Sequence, residues 1–166
     1  MLVVTEKLHQ LSFGQLMEVY IEGNMEKARC DYRHLPEYAA LQQAEQDFYQ
    51  YLKECFFPTV GAYYAVLVEQ GYYVSAVRWE PYLDGVLISA LETRPELRGR
   101  GYAASLLSQV LERFDGPVYS HVSKRNLPSL KVHEKCGFSR ILEHARYLDG
   151  SVNDRAYTLR FLPEGK

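Results

Sequence analysis

Hydrophobic and polar positions change period twice along this chain. Leu2, Val3 and Val4 open it as a short extended run. From residue 12 the spacing turns helical: Phe13, Leu16, Met17, Tyr20 and Ile21 share one broad face, and Ser12 is a suitable cap. The pattern predicts a helix over residues 12–28. Pro36 suits the first turn of a second helix, which Leu41, Phe48, Leu52 and Cys55 carry along one side to residue 55. Pro58 and Gly61 punctuate its end.

Beyond Gly61 the period drops to two. Residues 62–68, 72–80 and 86–93 predict strands. They are joined by turns at Glu69-Gln70-Gly71 and over residues 81–85, where Asp84-Gly85 is the strongest turn dipeptide. Residues 102–114 return to helical spacing, with Leu106, Leu107, Val110, Leu111 and Phe114 inward, and Asp115-Gly116-Pro117 stops that helix. A strand over 118–122, a short helix over 128–136 ended by Gly137, and strands over 138–147 and 156–162 complete the chain. The order β-α-α-β-β-β-α-β-α-β-β predicts an α/β (α+β) architecture: a mixed, mostly antiparallel central sheet of about seven strands flanked by about four helices.

At 166 residues the chain reads as a single domain over 1–166. A net charge of −2 gives no bulk attraction to nucleic acid, and none is expected as a partner. The longest apolar runs are strand-sized, short of the ~20 residues a membrane helix needs. The N-terminal stretch lacks the basic segment and apolar core of a secretory signal. Cys30, Cys55 and Cys136 are odd in number, form no CxxC pair and share no metal spacing with histidine. They read as small core residues in a reduced, cytoplasmic protein that carries no metal.

The chemistry concentrates at Arg98-Gly99-Arg100-Gly101-Tyr102-Ala103-Ala104, between the strand over 86–93 and the helix over 102–114. Glycines let backbone approach a ligand closely, and the free N–H groups of a first helical turn point at it. Arg98 and Arg100 add full positive charge to the helix dipole. The ligand this predicts is a phosphate or pyrophosphate. Gly99-x-Gly101-x-x-Ala104 fits the GxGxxG/A pattern of nicotinamide dinucleotide sites, and Ser123-Lys124-Arg125 after the next strand would suit a 2′-phosphate. That reading needs parallel strands, whereas the segment before the turn reads as two antiparallel hairpins. Arg98-x-x-Gly101-x-Ala103 fits the R/Q-x-x-G-x-G/A pattern of coenzyme A sites equally well.

At this point the chain resembles the GNAT superfamily of N-acyltransferases. Leu91-Glu92-Thr93-Arg94-Pro95-Glu96-Leu97-Arg98-Gly99-Arg100-Gly101-Tyr102-Ala103 is similar to its acyl-CoA motif. Asn126-Leu127-Pro128-Ser129-Leu130-Lys131-Val132-His133-Glu134-Lys135-Cys136-Gly137-Phe138 is similar to its second motif. The close match covers residues 86–138.

The resemblance implies acetyl-CoA as co-substrate, direct attack by an amine in a ternary complex, and no metal. It implies pyrophosphate on Arg98, Gly99, Arg100, Gly101, Tyr102, Ala103 and Ala104. It implies pantetheine along the backbone of Leu91 and Thr93, where the strand splays from its neighbour, with Asn126 and Ser129 beside it. Position 133 usually holds a tyrosine that protonates the departing thiolate. His133 stands there instead, either as the acid or as a spacer beside the sulfur with water as the acid. A lysine-like amine of pKa ~10.4 is almost wholly protonated at neutral pH, so a base is needed. Glu92 is the candidate, with Glu80, Asp84 and His121 behind it; on a regular strand Glu92 would share a face with Val86, Ile88 and Ala90, or pair with an arginine such as Arg94.

Tyr20, Tyr32, Tyr38, Tyr63, Tyr64, Tyr72 and Tyr73 fall on elements that wall the acceptor site in such proteins. The acceptor is expected to be a small-molecule or protein amine, and the chain a monomer or homodimer. A catalytically silent acyl-CoA-binding sensor is the rival from another class.

Overall fold

In the computed structural model, which describes residues 1–164, the helical and extended segments follow the changes of period. The elements are β1 (Leu2–Thr5), α1 (Phe13–Val19), α2 (Ile21–Asp31), α3 (Glu37–Tyr51), β2 (Tyr63–Glu69), β3 (Tyr72–Tyr82) and β4 (Gly85–Thr93). They continue as α4 (Tyr102–Leu111), β5 (Val118–Ser123), α5 (Leu127–Lys135), β6 (Ser139–Leu142), β7 (Ala145–Arg146), β8 (Val152–Asn153) and β9 (Ala156–Phe161). Seven strands form one sheet in the order β1-β2-β3-β4-β5-β9-β6, antiparallel except for the pair β4–β5. Among the described residues no helix is long and apolar enough to cross a membrane.

Three expected elements differ. The helix over 12–28 is two helices, because the Tyr20 backbone leaves the helical region (φ −97°, ψ 16°). Bonds from Tyr20 N–H to Leu16 O and from Asn24 N–H to Tyr20 O keep the two halves joined. The second helix ends in a wider, π-helical turn over Leu52–Phe56. The strand over 138–147 breaks after Leu142: β6 joins the main sheet, whereas β7 pairs with β8 in a separate ribbon. Thr158 Oγ1 fixes that corner by donating to His144 O at 2.8 Å. Cys30 and Cys55 are exposed rather than core residues; only Cys136 is partly buried.

Gly85 is required for a reason other than turn chemistry. It already pairs with Tyr82, so Leu83 and Asp84 make the two-residue turn. A Cβ at Gly85 would lie 1.9 Å from the Pro117 carbonyl oxygen. Only glycine lets β4 lie this close to the chain entering β5.

The two sheet faces bury different helices. On one, Val77, Trp79, Ile88 and Val118 pack with Leu106, Leu107, Val110 and Leu111 of α4. On the other, Tyr64, Val66 and Ala76 pack with Leu16, Met17 and Tyr20 and with Leu52 and Phe56. Each fully buried Leu or Phe contributes about 1.5–3 kcal/mol.

The register of β4 shifts in its middle. Arg78 of β3 faces Ser89, but Ala76 faces Glu92, so β4 holds one extra residue. The bulge is at Ala90, whose φ is +55°. It reverses the alternation: Glu92 lies on the face of Ala76 and Arg78, opposite Val86 and Ile88. That corrects the face a regular strand gives Glu92.

Candidate active site

The strand–turn–helix that carries the glycines builds a cradle. Gly99 and Gly101 have φ of +79° and +84°, and a Cβ on either would meet nothing within 4 Å. Their open side is therefore room for a ligand. Gly101 caps α4 without any side-chain hydrogen bond, and the helical ladder begins with Ser105 N–H on Gly101 O at 3.0 Å. The N–H groups of Tyr102, Ala103 and Ala104 are left to point out of the helix end, with the positive end of its dipole.

A cavity of about 660 Å³ opens at this cradle. Leu91, Glu92 and Thr93 line it from β4, and Arg98, Gly99, Gly101, Tyr102, Ala103 and Ala104 from the turn and α4. Asn126 and Ser129 line it from the start of α5. All of these were expected there. Arg100 was too, but it is exposed and outside the lining. Glu22, Gly23 and Glu26 of α2 form the opposite wall, and Lys131 and Lys135 of α5 its basic end. Sequence reasoning missed these, although Glu22 and Glu26 are one helical turn apart.

The cavity continues into a wedge in the sheet. The β4–β5 ladder ends at Ile88 and Ser120, yet both strands run on, to Thr93 and Ser123. A smaller space of about 140 Å³ lies there, lined by residues that include Ala90, Glu92, Ser120, His121, Ser129 and His133. Backbone groups of β4 that lack a β5 partner face this space. The Thr93 side chain turns away: its Oγ1 lies 3.1 Å from Ser75 Oγ, which donates to Glu92 O at 2.7 Å. Thr93 therefore meets the cavity through its backbone.

Charge pairing at the mouth differs from the expected Glu92–Arg94 pair. Arg94 donates through Nε to Tyr73 O at 2.6 Å and approaches Glu18 and Glu96. Arg98 instead spans the cavity, 2.6 Å from Glu22 and 3.6 Å from Glu92. Burial pushes the Glu92 carboxyl above its ordinary range, with Arg98 opposing and Glu22 assisting. Among the expected bases, Glu92 alone borders both the large cavity and the wedge.

Asn126 caps α5, its Oδ1 accepting from Ser129 N–H at 3.2 Å, which leaves its amide NH2 for other partners. His133 is only 2% exposed. Its Nε2 lies 2.9 Å from Ser120 Oγ and its Nδ1 2.7 Å from Ser129 O. The carbonyl can only accept, so Nδ1 carries the proton and Nε2 accepts from Ser120. Burial holds the ring below its ordinary pKa, with the Ser129 bond opposing. His133 is thus a neutral imidazole behind the wedge, with Ser129 Oγ 3.3 Å from Nδ1 and bordering both cavities. His121 is also held below its ordinary pKa by burial, and its Nε2 has no partner among the described residues.

The tyrosines divide. Tyr20 and Tyr64 are buried beside the bulge, where Tyr64 Oη donates to Tyr20 Oη at 2.7 Å and Tyr20 Oη donates to Ala90 O at 2.7 Å. Tyr63 stacks on Trp79, Tyr38 and Tyr72 are exposed, and Tyr73 Oη accepts from Ser12 N–H. Tyr32 donates to the Asp47 carboxylate, and with Arg33 it lines a separate cavity between α2 and α3.

The sequence matches the acetyltransferase (GNAT) family over residues 23–138. The chain belongs to that family. A solved structure described as histone acetyltransferase HPA2 and related acetyltransferase, from Corynebacterium glutamicum, is similar in fold. Its TM-score is 0.69 at 14% identity, covering 99% of this chain and 98% of that one. The PaiA N-acetyltransferase of Thermoplasma acidophilum, in complex with coenzyme A, gives 0.65 at 10% identity over 98% and 99%. The ribosomal-protein-S18-alanine N-acetyltransferase of Escherichia coli gives 0.59 at 12% identity over 100% and 97%. At these identities the likeness is one of fold. No curated protein matches the sequence significantly. In this GNAT sheet β4–β5 is the one parallel pair among the described strands, so the all-parallel setting of a nicotinamide site is missing.

Proposed function

We infer that the chain is an N-acyltransferase that uses acetyl-CoA to acylate an amine. The observation that carries this is the continuity of the glycine cradle with the wedge, which suits an anionic head and a long, narrow arm. The bound co-substrate supplies the acyl group as a reactive thioester; the protein supplies position and charge.

The α4 N–H groups and Arg98 hold the diphosphate. Backbone groups of Leu91 and Thr93 hold the arm along β4. Near the bulge, backbone N–H groups polarise the acyl carbonyl, where charge develops as the amine attacks. Glu92 takes the amine's proton. Its raised pKa makes it a better base than an ordinary carboxylate, and turning Arg98 toward the diphosphate removes the cation that opposes this.

His133 acts as a positioning residue. Its Nδ1–H holds Ser129, whose hydroxyl donates a hydrogen bond to the departing sulfur while water delivers the proton. Of the two readings of position 133, this takes the spacer beside the sulfur with water as the acid, because a neutral imidazole with both nitrogens engaged has no proton to spare.

Calorimetric titration with acetyl-CoA, coenzyme A and NADPH, followed by thiol release across an amine library, tests the reading. Tight acetyl-CoA binding that Gly101→Glu weakens, together with amine-dependent thiol release, is expected. Binding without turnover of any amine makes the chain a coenzyme-binding module, and preference for NADPH ends the coenzyme A assignment.

A further inference from the structure

Arg78 sits where the proposed reaction needs no cation. It is partly buried on β3, opposite Ser89 and beside the bulge. Its guanidinium is over the rings of Phe48, Tyr51 and Phe56, at 5.8, 5.1 and 5.6 Å from their centroids. It also reaches the Tyr64 hydroxyl. Among the described residues no carboxylate lies within 4 Å of it. Glu80, two positions along the same face, makes no ion pair with it.

A guanidinium withdrawn from water needs a counter-charge or a function. Three aromatic faces stabilise the cation and fix its plane, but they leave most of its donors without an anion. A planar fork held in this way suits a carboxylate.

The register sets what stands beside it. Ala76 and Arg78 are two residues apart on one face, about 7 Å along β3. Glu92 is the cross-strand partner of Ala76 on that same face. Tyr20 stands between them: its buried hydroxyl, bonded to the bulge carbonyl, feels both the Arg78 cation and the Glu92 carboxylate. Glu92 and Arg78, which has no carboxylate within 4 Å among the described residues, therefore flank Ala90 on the sheet face away from α4.

We propose that Arg78 anchors the carboxylate of the acceptor, so that the acceptor is a free amino acid or similar small amino-carboxylate. Its ammonium meets Glu92 at the bulge, and its carboxylate meets Arg78. A polyamine would place a second cation against Arg78, and a peptide N-terminus would bring a neutral amide there. This rests on the acyltransferase reading and narrows its acceptor.

The experiment compares amino acids as free acids and as their carboxamides, alongside spermidine and a short peptide, at fixed saturating acetyl-CoA. Thiol release is followed in the wild type, Arg78→Met and Arg78→Lys. The expected result is kcat/KM at least tenfold higher for the free acid than for its amide. That ratio falls to near one in Arg78→Met and partly returns in Arg78→Lys. Acetyl-CoA affinity unchanged in both variants certifies that they are folded. Amides, spermidine or the peptide used as well as the free acids would overturn the anchor and leave acyl transfer standing. Acetyl-CoA bound with no amine turned over would overturn both.

Discussion

The Tyr20 hydroxyl donates a 2.7 Å hydrogen bond to the carbonyl oxygen of Ala90, the one β4 residue with positive φ. A left-handed alanine costs roughly 1–2 kcal/mol, and a buried hydrogen bond returns about as much. The break between α1 and α2 falls at Tyr20 itself, so the residue that interrupts the helix also secures the bulge.

Tyr20→Phe keeps the ring and removes that bond, leaving Tyr64 Oη without its acceptor. We expect a loss of about 1–3 kcal/mol in urea unfolding. With the bulge less well fixed, kcat falls roughly tenfold, the equivalent of ~1.4 kcal/mol in the barrier. Acetyl-CoA affinity stays within about twofold, since the cradle at Gly101 is built by other elements. A parallel fall in affinity would show that Tyr20 merely supports the fold.

Gly101→Ala adds a methyl group that touches no protein atom but sits on a residue with φ +84°. The strain costs about 1–2 kcal/mol of stability. The methyl also enters the ligand's space, and we expect acetyl-CoA to bind at least ~10-fold more weakly by calorimetry. Unchanged affinity would move the diphosphate away from this turn.

Glu22→Gln frees Arg98 from its nearest partner. Both side chains are about half exposed, so the pair is worth at most ~1 kcal/mol. Acetyl-CoA should bind up to about fivefold more tightly at low salt, and the gain should vanish at high salt. Weaker binding would mean that Glu22 holds Arg98 ready for the ligand rather than competing for it.

Burial lowers the His133 pKa in the folded chain, so the unfolded chain binds that proton more readily. Stability from the neutral ring is complete above the unfolded value of ~6.5 and is lost as pH falls from there through the folded value. Urea midpoints should therefore drop between pH 7.5 and 5.5, and His133→Gln should flatten that drop. An equal slope in the variant would place the titration elsewhere.

The order of elements along the chain and the glycine turn were legible because each rests on local chemistry: alternating apolar residues, turn dipeptides, and glycines where positive φ is needed. The bulge was not. Ala90 lies inside the uninterrupted strand pattern of residues 86–93, and no glycine marks its conformation. That one unseen residue put Glu92 on the wrong face. Arg78 was silent for a similar reason, since a charge between Val77 and Trp79 reads as ordinary strand alternation. The neutrality of His133 came from burial in the folded chain, with its Nε2 on Ser120 of β5, and the helical pattern of residues 128–136 does not show that burial. The Tyr20 break reflects a bond 70 residues away.

Three residue pairs, Val86–Val118, Leu87–Tyr119 and Ile88–Ser120, are the whole ladder between β4 and β5, extended only by Val86 N–H on Pro117 O at 3.2 Å. Mechanically the sheet is two plates, β1 to β4 and β5-β9-β6, joined along a short edge. Helix α4 braces them: its buried leucines share a core with Val77 and Ile88 of one plate and with Val118 and Leu159 of the other. The helix whose first turn is proposed to receive the diphosphate is therefore also the splint that sets how far the plates stand apart. Charge recognition and slot width are governed by one rigid part.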